Sequence, residues 1–173
     1  LIKFINHLNK YYKTNKSFTE KIGQKGIYNF FSINPKTKEK THLATINNLI
    51  TNLALDNWAN ALRGYHTYSN TIFYLAIGND NSAVSASDTQ LGNELYRVPV
   101  VSYNVSVTKQ CVTDFFITDQ GFVGQIEEVG IFTNDTATAT ANTGDMLSRV
   151  LWSHNKTNSE EILIQRTDIF SAV

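Results

Sequence analysis

Val101-Ser102-Tyr103-Asn104-Val105-Ser106-Val107-Thr108 alternates apolar and polar residues without a break. A period of two is the pattern of a strand with one wet face, because successive side chains on a strand point to opposite sides. The alternation puts Val101, Tyr103, Val105 and Val107 inward and the Ser, Asn and Thr residues outward, in a strand within Leu95 to Thr108. Pro99 near its start has no N–H to donate and suits an edge or a bulge. Upstream, Ile72-Phe73-Tyr74-Leu75-Ala76-Ile77 is apolar on both faces and reads as a buried strand ending at Gly78. Downstream, Cys111 to Thr118, Phe122 to Thr133, Met146 to Trp152 and Glu161 to Thr167 read as four more strands. Turns at Asp119-Gln120-Gly121 and Asn155 to Ser159 separate some of them.

The region before residue 70 differs. Tyr28 to Ile33 reads as a strand, and Asn34-Pro35-Lys36-Thr37-Lys38 as a turn linking two hairpin strands, because Pro35 biases Asn34 away from helix. Ile46, Leu49, Ile50, Leu53, Trp58 and Leu62 recur at roughly helical spacing, with Thr45 as N-cap and Gly64 just past the end. This predicts a helix over 46–62 that buries Trp58 and Leu62 against the sheet near Phe73 or Leu75, and turns Asn47, Asn48, Asn52, Asn57 and Asn60 to solvent. Ser87-Asp88-Thr89-Gln90 has capping-box spacing for a brief helical turn. Several closely spaced strands with one helix predict a mainly β protein: an antiparallel β-sandwich with one packed α-helix (about 46–62) and an N-terminal arm. The division is residues 1–40 as a basic arm or hairpin and 41–173 as the sandwich domain.

Composition narrows the classes. The 173 residues include 15 basic and 15 acidic side chains, and 42% are hydrophobic, enough for one domain with a core. Asn, Thr and Ser number 19, 19 and 12, so uncharged amides and hydroxyls hydrate the surface and favour turns and strands over helix interiors. No stretch approaches the roughly 18 unbroken apolar residues of a membrane span, so no membrane insertion is expected. Charge is split: residues 1–40 hold nine Lys and two Glu, and residues 41–173 hold six basic and thirteen acidic residues. Leu1, Phe4, Ile5 and Leu8 share one face of a short amphipathic helix in that arm, which packs on its own domain or docks on an acidic neighbour. The arm has no Arg for bidentate phosphate contacts, and a nucleic-acid partner is not expected. The chain opens on Leu1 and its only Met is Met146, so processing, or origin in a longer chain, is expected.

No constellation carries catalysis. Gly-x-Gly-x-x-Gly, Walker and Gly-x-Ser-x-Gly patterns are missing. His7, His42, His66 and His154 stand singly, without zinc-helix spacing. Glu127-Glu128 lies on a predicted strand whose alternation sends the two to opposite faces, so they are not an acid/base pair. One of them is expected to turn inward and pair with Arg97 or Arg149. Asn79-Asp80-Asn81-Ser82 lacks the distal Glu of a calcium loop. Cys111, with only Lys109 as a basic neighbour, reads as an inert thiol. Tyr65, His66, Tyr68, Phe73 and Tyr74 form a sugar-stacking platform or are simply packed aromatics. No catalytic, cofactor or metal residue is assigned, no cofactor is expected, and binding residues stay unassigned.

One series of segments resembles a known family. Tyr74-Leu75-Ala76-Ile77-Gly78 precedes Asp88-Thr89-Gln90-Leu91, and Glu128-Val129-Gly130-Ile131-Phe132 precedes Met146-Leu147-Ser148-Arg149. This order is similar to a β-rich domain recurrent in tailed-bacteriophage virion proteins, among tail-fibre, baseplate and head-surface components. The likeness spans roughly residues 45–165 and brings no catalytic residues with it. The family's Gly-Thr-Gly-rich loop is replaced by Asn79-Asp80-Asn81-Ser82, so loop-borne binding does not carry over. The resemblance implies a non-enzymatic structural protein in the virion, a fibre, baseplate, adaptor or head-decoration component. Its partners would be other virion proteins and further copies of itself. The alternative is a carbohydrate- or host-receptor-binding module on the virion surface.

Overall fold

A computed structural model describes residues 22–65, 69–104 and 107–172. The amphipathic face predicted at residues 1–8 lies outside them, as do His7, His66, Tyr68 and Val105. The elements are β1 (Ile22–Ile33), β2 (Lys40–Asn47), β3 (Leu49–Ile50), α1 (Asn52–Leu62), β4 (Ile72–Gly78), β5 (Glu94–Asn104), β6 (Gln110–Ile117), β7 (Gly124–Thr133), β8 (Asp145–Lys156) and β9 (Glu161–Ala172). Every strand pair is antiparallel, in the order β2-β1-β9-β6-β5-β4-β7-β8-β3. The described residues are mainly β with one helix, as the alternation and turn pattern predict.

The sheet rolls up because one strand, β5, and one continuous segment, residues 40–50, each serve both halves. Residues 94–99 of β5 pair with β4, whereas residues 100–104 pair with β6. The change falls at Pro99, the one residue of β5 that cannot donate to a ladder. At the opposite edge, β2 pairs with β1 and, one residue later, β3 pairs with β8. The result is an antiparallel sandwich nearly closed into a barrel. In a flat sheet β1 and β8 would lie about 29 Å apart, six spacings of about 4.8 Å. Instead the rings of Phe30 in β1 and Trp152 in β8 stack at 4.0 Å. The interior is filled from both halves, by Tyr28, Phe30, Leu75, Ile77, Phe115, Val129, Ile131, Val150, Ile162 and Ile164 among others.

One half of the sheet is covered on its outer face as well. Ala76, Phe132 and Met146 face outward under Leu91 of the 79–93 loop, with Ala137 of the 134–144 loop beside them. That second layer explains why the β4 sequence is apolar on both faces. Two other loop readings resolve differently. Asn34 caps its turn by accepting from Lys36 and Thr37 N–H, giving the predicted hairpin between β1 and β2. Ser87 to Gln90 is a turn rather than helical, because Asp88 accepts from Ser85 N–H and then reaches into the sheet.

The helix departs from its prediction in both start and facing. Ile46 belongs to β2 opposite Tyr28, and Leu49 and Ile50 pair with Arg149 and Ser148. Backbone pairing at both edges of the sheet takes those residues out of the helix, which begins only after Thr51. Thr51, not Thr45, is the N-cap, accepting from Ala54 N–H, and Gly64 follows the C-terminus at φ +81° as expected. The buried side is Ala54 and Asn57, while Leu62 is 90% exposed. Asn57 turns inward because its amide donates to Asp145 at 2.7 Å. Trp58 is half-buried and packs on Phe170 of β9 (5.6 Å between rings), not on Phe73 or Leu75.

The alternating strand is also interrupted. Register against β6 shifts between Val100 and Ser102, which makes Val101 the extra residue of a bulge and leaves it 64% exposed rather than inward. Past the bulge, Tyr103 lies opposite the fully buried Thr113 but is itself 52% exposed at the open end of the barrel, and Val107, beyond the end of β5, is 51% exposed, so neither is buried inward as the alternation predicts. Residues 22–33, assigned to the arm by charge, form β1 between β2 and β9, so the sheet includes residues from well before 41.

Candidate functional site

The motif segments come together on the outer face of β4, β7 and β8. Glu128 of β7 is 0% exposed and accepts four hydrogen bonds. Arg149 Nε (2.8 Å) and Gly92 N–H (2.9 Å) donate to Oε2, and Asn93 N–H (2.8 Å) and Asp80 N–H (3.3 Å) donate to Oε1. Arg149 extends from the neighbouring strand to Asp88 at 3.1 Å and Asp80 at 3.0 Å. Burial works against its charge, but Asp88 and Glu128 outweigh burial and hold its pKa above the ordinary value. Asp80 also accepts from the Ser82 hydroxyl, which lowers its own pKa. A Cβ on Gly78 would lie 2.4 Å from both Asn93 O and Glu128 Oε1, so only glycine fits there.

Chemically this network is a latch. Its carboxylates are spent on an arginine and on loop N–H groups, which pins the 79–93 loop onto the sheet. The predicted glutamate–arginine pair is thus Glu128 with Arg149, but Glu128 is buried beneath the 79–93 loop on the outer face of the sheet rather than turned inward as predicted. Arg97 instead pairs with Glu94 at 2.7 Å, stacks over Phe132 and holds Thr143 O of the 134–144 loop. Glu127 stays half-buried, bonded to Gln125 and Ser153. A register shift between Ile126 and Glu128 replaces the simple alternation assumed for the pair.

Two further places have unsatisfied surface. Around α1, Leu62, Leu55 (50% exposed) and Tyr65 (58% exposed) are bare, and Trp58, Ala61 and Leu62 form an apolar groove with Phe170. Beside that groove one end of the barrel opens into a cavity of about 340 Å³. Trp58, Ile72, Tyr103, Leu147 and Phe170 supply its apolar wall. Its polar side is continuous with a charged layer inside the barrel. Arg166 is 0% exposed and holds Asp168 with two 2.7 Å bonds while donating to the Tyr28 and Ser148 hydroxyls. Burial lowers the Arg166 pKa and the Tyr28 and Asp168 oxygens raise it by more, so the guanidinium stays charged. Burial raises the Tyr28 pKa and keeps its phenol protonated.

Gln24 closes this layer by donating Nε2–H to Asp168 at 2.8 Å. That bond decides which end of the amide faces the carboxylate, because the oxygen would be repelled there. Gln24 Oε1 is consequently left buried without a partner among the described residues, as is Asn70 Oδ1. Tyr103 donates its hydroxyl to Ile72 O, which helps to shape the opening.

The remaining candidate residues are dispersed. His42 bonds Thr45 at the exposed edge, and His154 lies on Trp152 and bonds Glu160. Cys111 is half-buried at the cavity with Thr113 3.9 Å from its sulfur. The aromatic platform does not assemble from its described members, because Tyr74 packs outward near Arg97 while Tyr65 is exposed beyond α1. Arg166, Asp168 and Gln24 were missed from sequence; the inward period of Ile162, Ile164, Arg166 and Asp168 was the signal available. No family model, no curated protein and no solved structure matches the chain.

Proposed function

We propose that this chain is a structural virion protein of a tailed bacteriophage, a fibre, baseplate, adaptor or head-decoration component that acts through protein–protein contacts. The observation that carries the reading is spatial. The segments behind the resemblance, which contain Gly78, Asp88, Glu128 and Arg149, are far apart in sequence and meet in one buried latch. Short motifs that meet by chance have no reason to share one hydrogen-bond network. The apolar surface around Leu55, Leu62 and Tyr65 suits a subunit that works by packing against neighbours. Its carboxylates are occupied by latching, which fits a role without chemistry of its own.

The test is composition of purified particles. Quantitative mass spectrometry of density-purified phage from a culture carrying the gene should find the chain at a fixed copy number per particle. Cross-linking on those particles should join the α1 surface to another subunit or to a second copy. Absence of the chain from particles, with the protein abundant in the lysate, overturns the reading.

A further inference from the structure

The bare face of α1 has a sequence pattern of its own. Trp58, Ala59 and Leu62 follow Leu55 at spacings of three, four and seven, so the four share one side of the helix. Leu55, Ala59 and Leu62 are exposed, and no described residue covers them. Along the edge of that stripe, Trp58, Ala61, Leu62 and Phe170 line an open apolar groove of about 400 Å³. The start of β1 lies beside it. Gln24 pairs with Phe170 in the groove wall, and Ile22, two residues earlier, pairs with Ala172. At about 3.3 Å per strand residue, the chain before Ile22 joins the fold roughly 7 Å from the groove wall.

The segment that arrives there matches the groove in pattern and charge. Leu1, Phe4, Ile5 and Leu8 have the same spacing as Leu55, Trp58, Ala59 and Leu62, so two helical stripes of equal length can interlock. A helix of eight residues is not stable alone in water and needs an apolar surface to form on. The link from Leu8 to Ile22 spans up to about 46 Å when extended, against a length of about 12 Å for eight helical residues, so reach is not limiting. Residues 1–21 hold five Lys and one Glu, whereas residues 22–173 hold ten basic and fourteen acidic side chains. Asp56 is exposed beside Leu55 on α1, and Lys3 stands beside Phe4 in the arm.

We propose that the α1 groove is the docking site of this chain's own residues 1–8, which pack as a short helix with Leu1, Phe4, Ile5 and Leu8 against Leu55, Trp58, Ala59 and Leu62. The tether makes the contact intramolecular, and a flexible linker of this kind sets an effective concentration on the order of millimolar. That favours the chain's own segment over the same segment of a second copy. The contact belongs to the isolated chain and does not rest on the virion reading; release of the arm leaves the same face to a neighbouring subunit.

The experiment is NMR on the isotopically labelled 173-residue chain. Nuclear Overhauser contacts should join the Ile5 and Leu8 methyls to those of Leu55 and Leu62, and the Phe4 ring to the Trp58 ring. The double variant Phe4→Asp, Ile5→Asp alters only the arm. It should remove the remaining contacts of Leu1 and Leu8 and shift the Trp58 ring N–H, while the resonances of Phe30 and Ile164 in the core stay in place. Leu55→Lys with Leu62→Lys, on the groove side, should remove the contact between Phe4 and Trp58. An isotope-filtered spectrum of mixed labelled and unlabelled chains should show no contact between chains. Contacts found only between chains would make a second copy the occupant, and contacts to Leu62 from residues 66–68 instead of the arm would make that connection the occupant; either result overturns the proposal. So does a lack of any contact from residues 1–8 to α1, or a Trp58 N–H unmoved in the arm variant.

Discussion

Replacing Glu128 by Gln keeps the side-chain shape and removes its charge, which isolates the electrostatics of the latch from any cavity effect. In the native protein each carboxylate oxygen accepts two donors: Oε1 from Asp80 and Asn93, Oε2 from Gly92 and Arg149. A glutamine can satisfy one pair with its oxygen, but its NH2 must then face the other two donors. Arg149 keeps Asp80 and Asp88, yet loses the buried partner nearest its Nε. Breaking a buried pair from one side typically costs about 3–5 kcal/mol. For a domain of this size that corresponds to a fall in Tm of roughly 6–20 °C. Thermal unfolding by circular dichroism reads the total. Hydrogen exchange at the Asp80, Gly92 and Asn93 amides reads the local part, and protection there should fall more than in β1 or β9. Arg149→Met and the double variant complete a cycle whose coupling should exceed about 1 kcal/mol. A Glu128→Gln loss below about 1 kcal/mol, or strict additivity with Arg149→Met, would refute the latch as a stabilising unit.

Gly78→Ala forces a methyl to within 2.4 Å of the Asn93 carbonyl oxygen and should cost about 1–3 kcal/mol, with the 79–93 loop becoming the first site of protease cleavage. Unaltered melting and cleavage would show that the loop is not held there. Leu62→Lys, at a residue 90% exposed, should change stability by no more than about 0.5 kcal/mol while reducing α1 cross-links in particles; a large drop in Tm would mean the side chain is part of the fold. Acid should destabilise the protein through Glu160 and Asp80. Burial raises the Glu160 pKa, but hydrogen bonds from Ser32 and His154 bring it below 4.5, and the Ser82 hydroxyl brings Asp80 below 3.8. With folded values below these, the unfolded chain takes up protons first, so the stabilisation is complete above about pH 4.5 and is lost as pH falls through the lowered values. Melting measured between pH 6 and 3 should decline, and less steeply in Glu160→Gln; identical slopes would exclude Glu160 as a contributor.

The sequence by itself determined the class of this protein. Period-two alternation, turn residues at Asn34-Pro35 and Asp119-Gln120-Gly121, and apolar runs such as Ile72 to Ile77 are local signals, and local backbone preference decides whether a segment is a strand. The pairing of Glu128 with Arg149 was legible too, because a carboxylate among Val, Ile and Phe needs a cation, whereas its burial on the outer face depends on the 79–93 loop that covers it. Tertiary structure decided what depends on partners distant in the chain. Ile46, Leu49 and Ile50 have helical spacing, but the unpaired edges of β1 and β8 offer their backbone ladder bonds that a helix start would forgo. Val101 has inward periodicity, yet a register shift against β6 turns it out. Asn57 looks like a solvated residue until Asp145, 88 positions later, accepts its amide hydrogen. The barrel mouth was the least visible feature, since Gln24, Trp58, Asn70, Tyr103, Leu147 and Phe170 become neighbours only when the sheet closes. Spacing along a chain records which side of an element a residue occupies; closure of the sheet determines what that side meets.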